Sequence, residues 1–282
     1  MSIREAFVAG HFYQKNPEIL KTSIDKFFSD LHVEPDEHEK QILSSELWSE
    51  QRPLLILLPH AGHVYCGPVI AATLCKTSLP RRLIILAPNH TGQGNDMGFW
   101  PSGSWRTPLG DLPVDEDLGK ELASLGQDFS PDIRPHLGEH DIEVLLPFIQ
   151  VISPHSTILP IAVKRVPDLA QAAESLAEIV RRHHDEVGFI VSSDMNHFAT
   201  EDQTRKLDAL AIKAILDIDA ENLGEVVRRN KISMCGIWPA MLGLLACKEL
   251  GRQNSKLKAY DTSATTSSNP SRVVGYAGIK IW

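Results

Sequence analysis

Three short apolar runs each lead into a histidine or an aspartate, and this coupling constrains the fold more than any other feature of the chain. Leu54-Leu55-Ile56-Leu57-Leu58 runs into Pro59-His60-Ala61-Gly62. Leu83-Ile84-Ile85-Leu86-Ala87 runs into Pro88-Asn89-His90, and Gly188-Phe189-Ile190-Val191 into Ser192-Ser193-Asp194-Met195-Asn196-His197. Runs without polar alternation are expected of strands covered on both faces, as in a parallel sheet between layers of helices. Ile158–Val163 is a fourth run of this kind. Sites in open α/β sheets form beyond the carboxyl ends of the strands. If these strands are parallel neighbours, His60, His90, Asp194 and His197 meet at one edge.

Amphipathic stretches lie between the runs. Asn16 caps an expected first helix, Pro17 suits its first turn, and Leu20, Ile24, Phe27, Phe28 and Leu31 share one face. Further helices are expected over 68–77 after Gly67-Pro68, 116–125 after Asp115, 168–183 after Pro167, and near 201–217, 220–229 and 236–250. Two strands are expected near 256–262 and 272–281. Residues 32–52 are charged and read as a variable excursion. With no linker composition anywhere, the pattern predicts one α/β domain over 1–282, a central mixed β-sheet flanked by helices.

Hydrophobic residues at 43 % and charged residues at 23 % exclude a disordered or fibrous chain. A net charge of −8 argues against nucleic acid as the partner. The longest apolar runs are far short of the ~20 residues that span a bilayer, so no membrane role is expected. Met1-Ser2-Ile3-Arg4-Glu5 carries no secretory core, and Cys66, Cys75, Cys235 and Cys247 form no CxxC pair, so reduced thiols and a cytoplasmic location are the expectation. There is no Gly-x-Ser-x-Gly elbow and no phosphate-binding glycine loop; Gly92-Gln93-Gly94 reads as a flexible loop.

Two more segments carry chemistry. Gly138-Glu139-His140-Asp141 opens the run Ile142, Leu145, Leu146, Ile149, and Ser233-Met234-Cys235-Gly236 opens a helix. A cysteine at a helix start feels the positive end of the dipole, which favours thiolate. Each residue has an ordinary reading as well: strand-end histidines bonded to loops, Asp194 as a helix cap, His140 paired with Glu139 or Glu143, Cys235 as a small buried apolar group. Cys66, Cys75 and Cys247 read as core, as do Trp100, Trp105 and Trp238. His11, His32, His38, His136, His155, His183 and His184 read as surface or loop residues, with His63 unassigned.

The ordered set Pro59-His60-Ala61-Gly62-His63-Val64-Tyr65-Cys66-Gly67, Ala87-Pro88-Asn89-His90, Trp105-Arg106-Thr107-Pro108-Leu109-Gly110, Glu139-His140-Asp141-Ile142-Glu143, Ser192 to His197 and Met234-Cys235-Gly236 resembles the Memo family. Its prokaryotic members are also called AmmeMemoRadiSam system protein B. Ala9-Gly10-His11-Phe12-Tyr13 and Gly275-Tyr276-Ala277-Gly278 fit it too. The resemblance implies a fold like the catalytic subunit of class III extradiol dioxygenases, which hold non-haem Fe(II) with two His and a carboxylate. It implies His60, His90 and Cys235 as metal ligands, the cysteine replacing the carboxylate. Asp194 and His197 would lie beside the metal, and His140 would either support the ligands from behind or act as an acid–base group. Fe(II) or copper is the implied metal, with zinc possible because His₂Cys plus water is also a catalytic zinc arrangement. A small-molecule or peptide ligand, or a radical-SAM protein, is the implied partner. Two positions depart from the family pattern. His63 stands where an aromatic residue is usual, offering a polar group to the pocket, and Asp141 stands where serine is usual, adding negative charge.

Overall fold

The fold is that of a computed structural model, which describes residues 2–31, 52–126 and 128–282. The excursion expected over 32–52, with His32 and His38, lies outside the described residues except at Arg52. The strands are β1 (Ile3–Arg4), β2 (Leu55–Leu58), β3 (Arg82–Pro88), β4 (Met97–Phe99), β5 (Ser104–Thr107), β6 (Gly110–Pro113), β7 (Ser130–Pro131), β8 (Thr157–Val163), β9 (Val187–Ser192), β10 (His197–Ala199), β11 (Ser255–Thr262) and β12 (Val273–Ile281). The helices are α1 (Pro17–Ser29), α2 (His63–Leu74), α3 (Glu116–Leu125), α4 (Leu146–Ile152), α5 (Leu169–His183), α6 (Glu201–Leu216), α7 (Ala220–Asn230), α8 (Ile237–Glu249) and the short α9 (Ala264–Ser267).

The architecture is mixed α/β. The four apolar runs are β2, β9, β3 and β8, adjacent in that order and all parallel. β12 adds antiparallel to β2, and β11 and β10 pair with β12. At the other side β4 pairs antiparallel with β8 and parallel with β7. β1, β5 and β6 form a separate small sheet.

Strand alternation sends each run into two cores. Leu55, Leu57, Leu86, Phe189 and Val191 pack with Ala172, Leu176, Leu242 and Ala246 of α5 and α8. Ile56, Leu58, Ile85, Ala87 and Ile190 face Leu20 and Ile24 of α1, Ile70 of α2 and Phe148 of α4. Both faces being covered is why the runs are apolar throughout. Caps set most helix starts, with Asn16, Asp115 and Asp168 each accepting a first-turn backbone N–H.

One helix differs from its sequence signal. α2 begins at His63, not at Pro68, and ends at Leu74, where Lys76 turns left-handed at φ 53°. Pro68 lies inside it and cannot bond the Val64 carbonyl one turn back. Thr266 Oγ1 donates to that carbonyl at 3.2 Å, which offsets the lost bond. Gly92 and Gly94 are fixed in a turn at φ 67° and 72°, with Asn89 Oδ1 accepting from Gly92 N. Among the described residues no helix is long and apolar enough to cross a membrane.

Candidate metal centre

The strand order decides the geometry of the site. β9 lies between β2 and β3, so the carboxyl ends of three neighbouring parallel strands deliver His60, Asp194 and His90 to one edge. The turn before α4 adds His140. One ring nitrogen from each of His60, His90 and His140 lies within 4.8 Å of the others. The ring centroids are 5.4 Å apart for His60 with His90 and with His140, and 5.2 Å for His90 with His140. Cys235 Sγ lies beside this group, 3.3 Å from His60 Nε2.

A second set of contacts fixes each ring. Ser192 Oγ donates its single proton to the Asp141 carbonyl at 2.9 Å, so it must accept from His60 Nδ1 at 2.7 Å. That leaves the His60 Nε2 lone pair facing Cys235. His90 Nδ1 lies 3.0 Å from Glu139 Oε2, while Glu139 Oε1 accepts from Thr91 N at 2.8 Å. His90 Nε2 is thereby free. Phe12 packs on His140 with ring centroids 4.7 Å apart.

Asp194 and His197 hold the loops that carry the ligand types. Asp194 Oδ1 accepts from the His60 backbone N–H at 2.8 Å, and Asp194 N donates to Cys235 Sγ at 3.2 Å. The Asp194 carboxylate thus fixes the His60 turn, and α6 is capped by Thr200 instead. His197 Nδ1 bonds the Ser233 carbonyl at 2.8 Å, and Ser233 Oγ accepts from His197 N at 2.8 Å, tethering the loop before Cys235. Gly236 lets that loop close on β9. A Cβ there would lie 2.7 Å from the Ser192 carbonyl oxygen.

Burial sets the charge states. Desolvation holds His60 well below its ordinary pKa, and the neighbouring imidazoles add to this. Desolvation with the repulsion of His90 brings His140 down to about 4. Both rings are therefore neutral near pH 7, with lone pairs available. His90 differs: burial pulls it down, but its bond to Glu139 and the adjacent carboxylates more than offset this and raise it. Burial pushes Asp194 up to about 7 and, with the repulsion of Glu139, Asp141 up to about 8.

Several expectations change here. Asp141 does not simply add negative charge, because burial beside Glu139 favours its protonated form near neutral pH. Cys235 precedes the cap of α8, yet its thiol is raised rather than lowered. Burial, followed by the Asp194 carboxylate, pushes the thiol up. His63 is buried between Tyr13 and Phe148 and bonds the Val144 carbonyl at 2.8 Å, outside the cluster. His136 is not a surface residue: 1 % exposed, it bonds the Gly98 carbonyl at 3.0 Å among Trp100 and Trp105. His183 is half-buried between Glu121 and Arg82. Trp238 is exposed on α8 rather than packed in the core, and Cys75 is only partly buried. The sequence reading passed over Ser192 and treated Glu139 only as a partner for His140. Glu139 adjoins His140 and Ser192 lies two positions before Asp194, but their contacts span 49 and 132 positions of chain, which local spacing does not report.

The model of a family described as Memo-like protein matches residues 4–280. A MEMO1 family protein of Sulfurisphaera tokodaii is 35 % identical over 99 % of both chains, and one of Metallosphaera sedula is 37 % identical over 97 % of both. The crystal structure of uncharacterized protein JW3007 from Escherichia coli K12 matches 80 % of this chain and 99 % of that one. Its TM-score is 0.51 at 13 % identity, a likeness of fold alone.

Proposed function

The chain belongs to the Memo-like family, and from that premise we propose that it is a metal-dependent redox enzyme whose centre is held by His60, His90 and Cys235. The observation that carries the proposal is the meeting of the His60, His90 and His140 imidazoles at the edge of a rigid parallel sheet, with Cys235 Sγ 3.3 Å from His60 Nε2. The donor set suits a borderline metal such as iron, copper or zinc, since neutral imidazole and thiolate are its preferred ligands. When bound, iron or copper would supply a redox-active centre able to engage dioxygen and substrate.

The protein's own groups have separable tasks. Ser192 and Glu139 hold the tautomers of His60 and His90 so that Nε2 of each faces the centre. Asp194 and His197 keep the His60 turn and the Cys235 loop in register. His140, neutral at pH 7, offers a lone pair beside the centre. Cys235 surrenders its proton to become a ligand.

The test is metal analysis of protein purified without chelator, comparing wild type with His60→Ala and Cys235→Ala. The proposal expects bound metal in the wild type and its loss in both variants. Equal content in all three would reject the centre. Two other functions divide on simple outcomes: anaerobic hydrolysis with zinc alone would mark a hydrolase, and peptide or partner binding that survives His60→Ala would mark a binding protein.

A further inference from the structure

Arg4 stands on β1, more than 130 positions before the turn that carries His140, and its side chain is 4 % exposed. The guanidinium lies 4.1 Å over the Trp105 ring. Nε donates to the His136 carbonyl at 3.1 Å, Nη2 to the Glu139 carbonyl, and Nη1 to Glu143 Oε2 at 2.7 Å. One planar cation therefore gathers two carbonyls and a carboxylate from residues 136–143. Glu143 is fastened in turn by Phe7 N, Val8 N and the Tyr13 hydroxyl.

The segment so held reaches all three imidazoles. His140 follows directly on the Glu139 carbonyl that Arg4 grips. The Glu139 carboxylate fixes His90, and the Asp141 carbonyl fixes Ser192, which fixes His60. A buried fork of fixed geometry is what arginine offers and lysine does not. We infer that Arg4 is a positioning residue of the metal centre, setting the His60, His90 and His140 rings through residues 136–143. This rests on the proposed metal-binding reading.

The experiment titrates Co(II) into full-length wild type, Arg4→Met, Arg4→Lys and Tyr13→Phe, recording affinity and the visible spectrum of the bound ion. Near-UV circular dichroism confirms each fold. Outer partners of metal-binding histidines typically contribute 10- to 100-fold in affinity. Both Arg4 variants are expected to bind Co(II) at least tenfold more weakly, with a changed spectrum, lysine failing to rescue despite its charge. Tyr13→Phe removes a hydrogen bond from the same Glu143 but keeps the two carbonyl contacts. It is expected to melt earlier while retaining wild-type affinity and spectrum. Folded Arg4 variants with wild-type binding would overturn the inference and leave the centre standing. Equal weakening in Tyr13→Phe, or loss of fold in both Arg4 variants, would also overturn it, making Arg4 a general stabiliser. A wild type that binds no Co(II) would remove the centre itself.

Discussion

Replacing Glu139 by Gln disturbs two contacts with one change. The carboxylate accepts His90 Nδ1–H on Oε2 at 3.0 Å and Thr91 N–H on Oε1 at 2.8 Å. A carboxamide has one accepting oxygen, so its NH₂ must confront the other donor. Either His90 loses its orienting partner or the Thr91 turn shifts. Losing such a partner costs about 10- to 100-fold in metal affinity, or about 1.4–2.7 kcal/mol of binding free energy. The deficit depends on pH. Burial depresses the His90 pKa, but Glu139 more than offsets it, so protons compete for this ring in the wild type as pH falls. Without the carboxylate His90 is less basic and that competition weakens. The Glu139→Gln deficit is therefore largest near pH 8 and narrower at pH 6. Calorimetric titration of Zn(II) or Co(II) into both proteins at the two pH values checks this. Wild-type affinity at pH 8, or a deficit that widens at pH 6, would refute the role given to Glu139.

Glu143→Gln leaves the buried Arg4 cation uncompensated, which costs about 3–5 kcal/mol. With about 2.1 cal/mol/K per residue of unfolding entropy, or roughly 0.6 kcal/mol/K for the chain, calorimetry should show a midpoint about 5–8 °C lower; a drop below about 2 °C would contradict a buried pair. His136 is held at about 3 by burial against about 6.5 in the unfolded chain. Its contribution to stability is complete above pH 6.5 and is lost as pH falls toward 3, roughly 3 kcal/mol by pH 4.5. Denaturation by urea should show His136→Gln losing less between pH 7 and 4.5 than wild type, and equal losses would count against it. Because burial raises the Cys235 thiol, metal uptake at pH 7 should release about one proton that Cys235→Ala does not release. Calorimetry in two buffers of different ionisation enthalpy measures it, and identical proton counts would remove the sulfur from the centre.

Much of the scaffold was legible because two-sided burial leaves a plain mark. A strand such as Leu55–Leu58 sends alternate side chains into two cores and can carry no polar residue, so the four parallel strands stood out. Caps did the same for helices, as Asn16, Asp115 and Asp168 show. What escaped depends on contacts between distant segments. β10 is three residues long and exists only because β12 pairs with it. α2 starts before Pro68, and Thr266, about 200 positions away, bonds the carbonyl that the proline frees. His136 looked like a loop residue until the Gly98 carbonyl and two tryptophans surrounded it. The site followed the same division. His60, His90 and Asp194 were visible as strand-end residues, and the order β2, β9, β3 then places them together. Glu139, Ser192 and Arg4 act on those residues across the fold and leave no periodic signal. Cys235 stands at a helix start, which suggests a lowered thiol pKa, but its burial, a property of the folded chain, raises it.

X-ray absorption at the zinc edge of the zinc-loaded protein addresses the centre most directly. Two or more nitrogen scatterers near 2.0–2.1 Å and one sulfur near 2.3 Å are expected, with the sulfur absent in Cys235→Ala and a nitrogen lost in His90→Ala. A shell of oxygen and nitrogen alone, unchanged in either variant, would contradict a centre built from His60, His90 and Cys235.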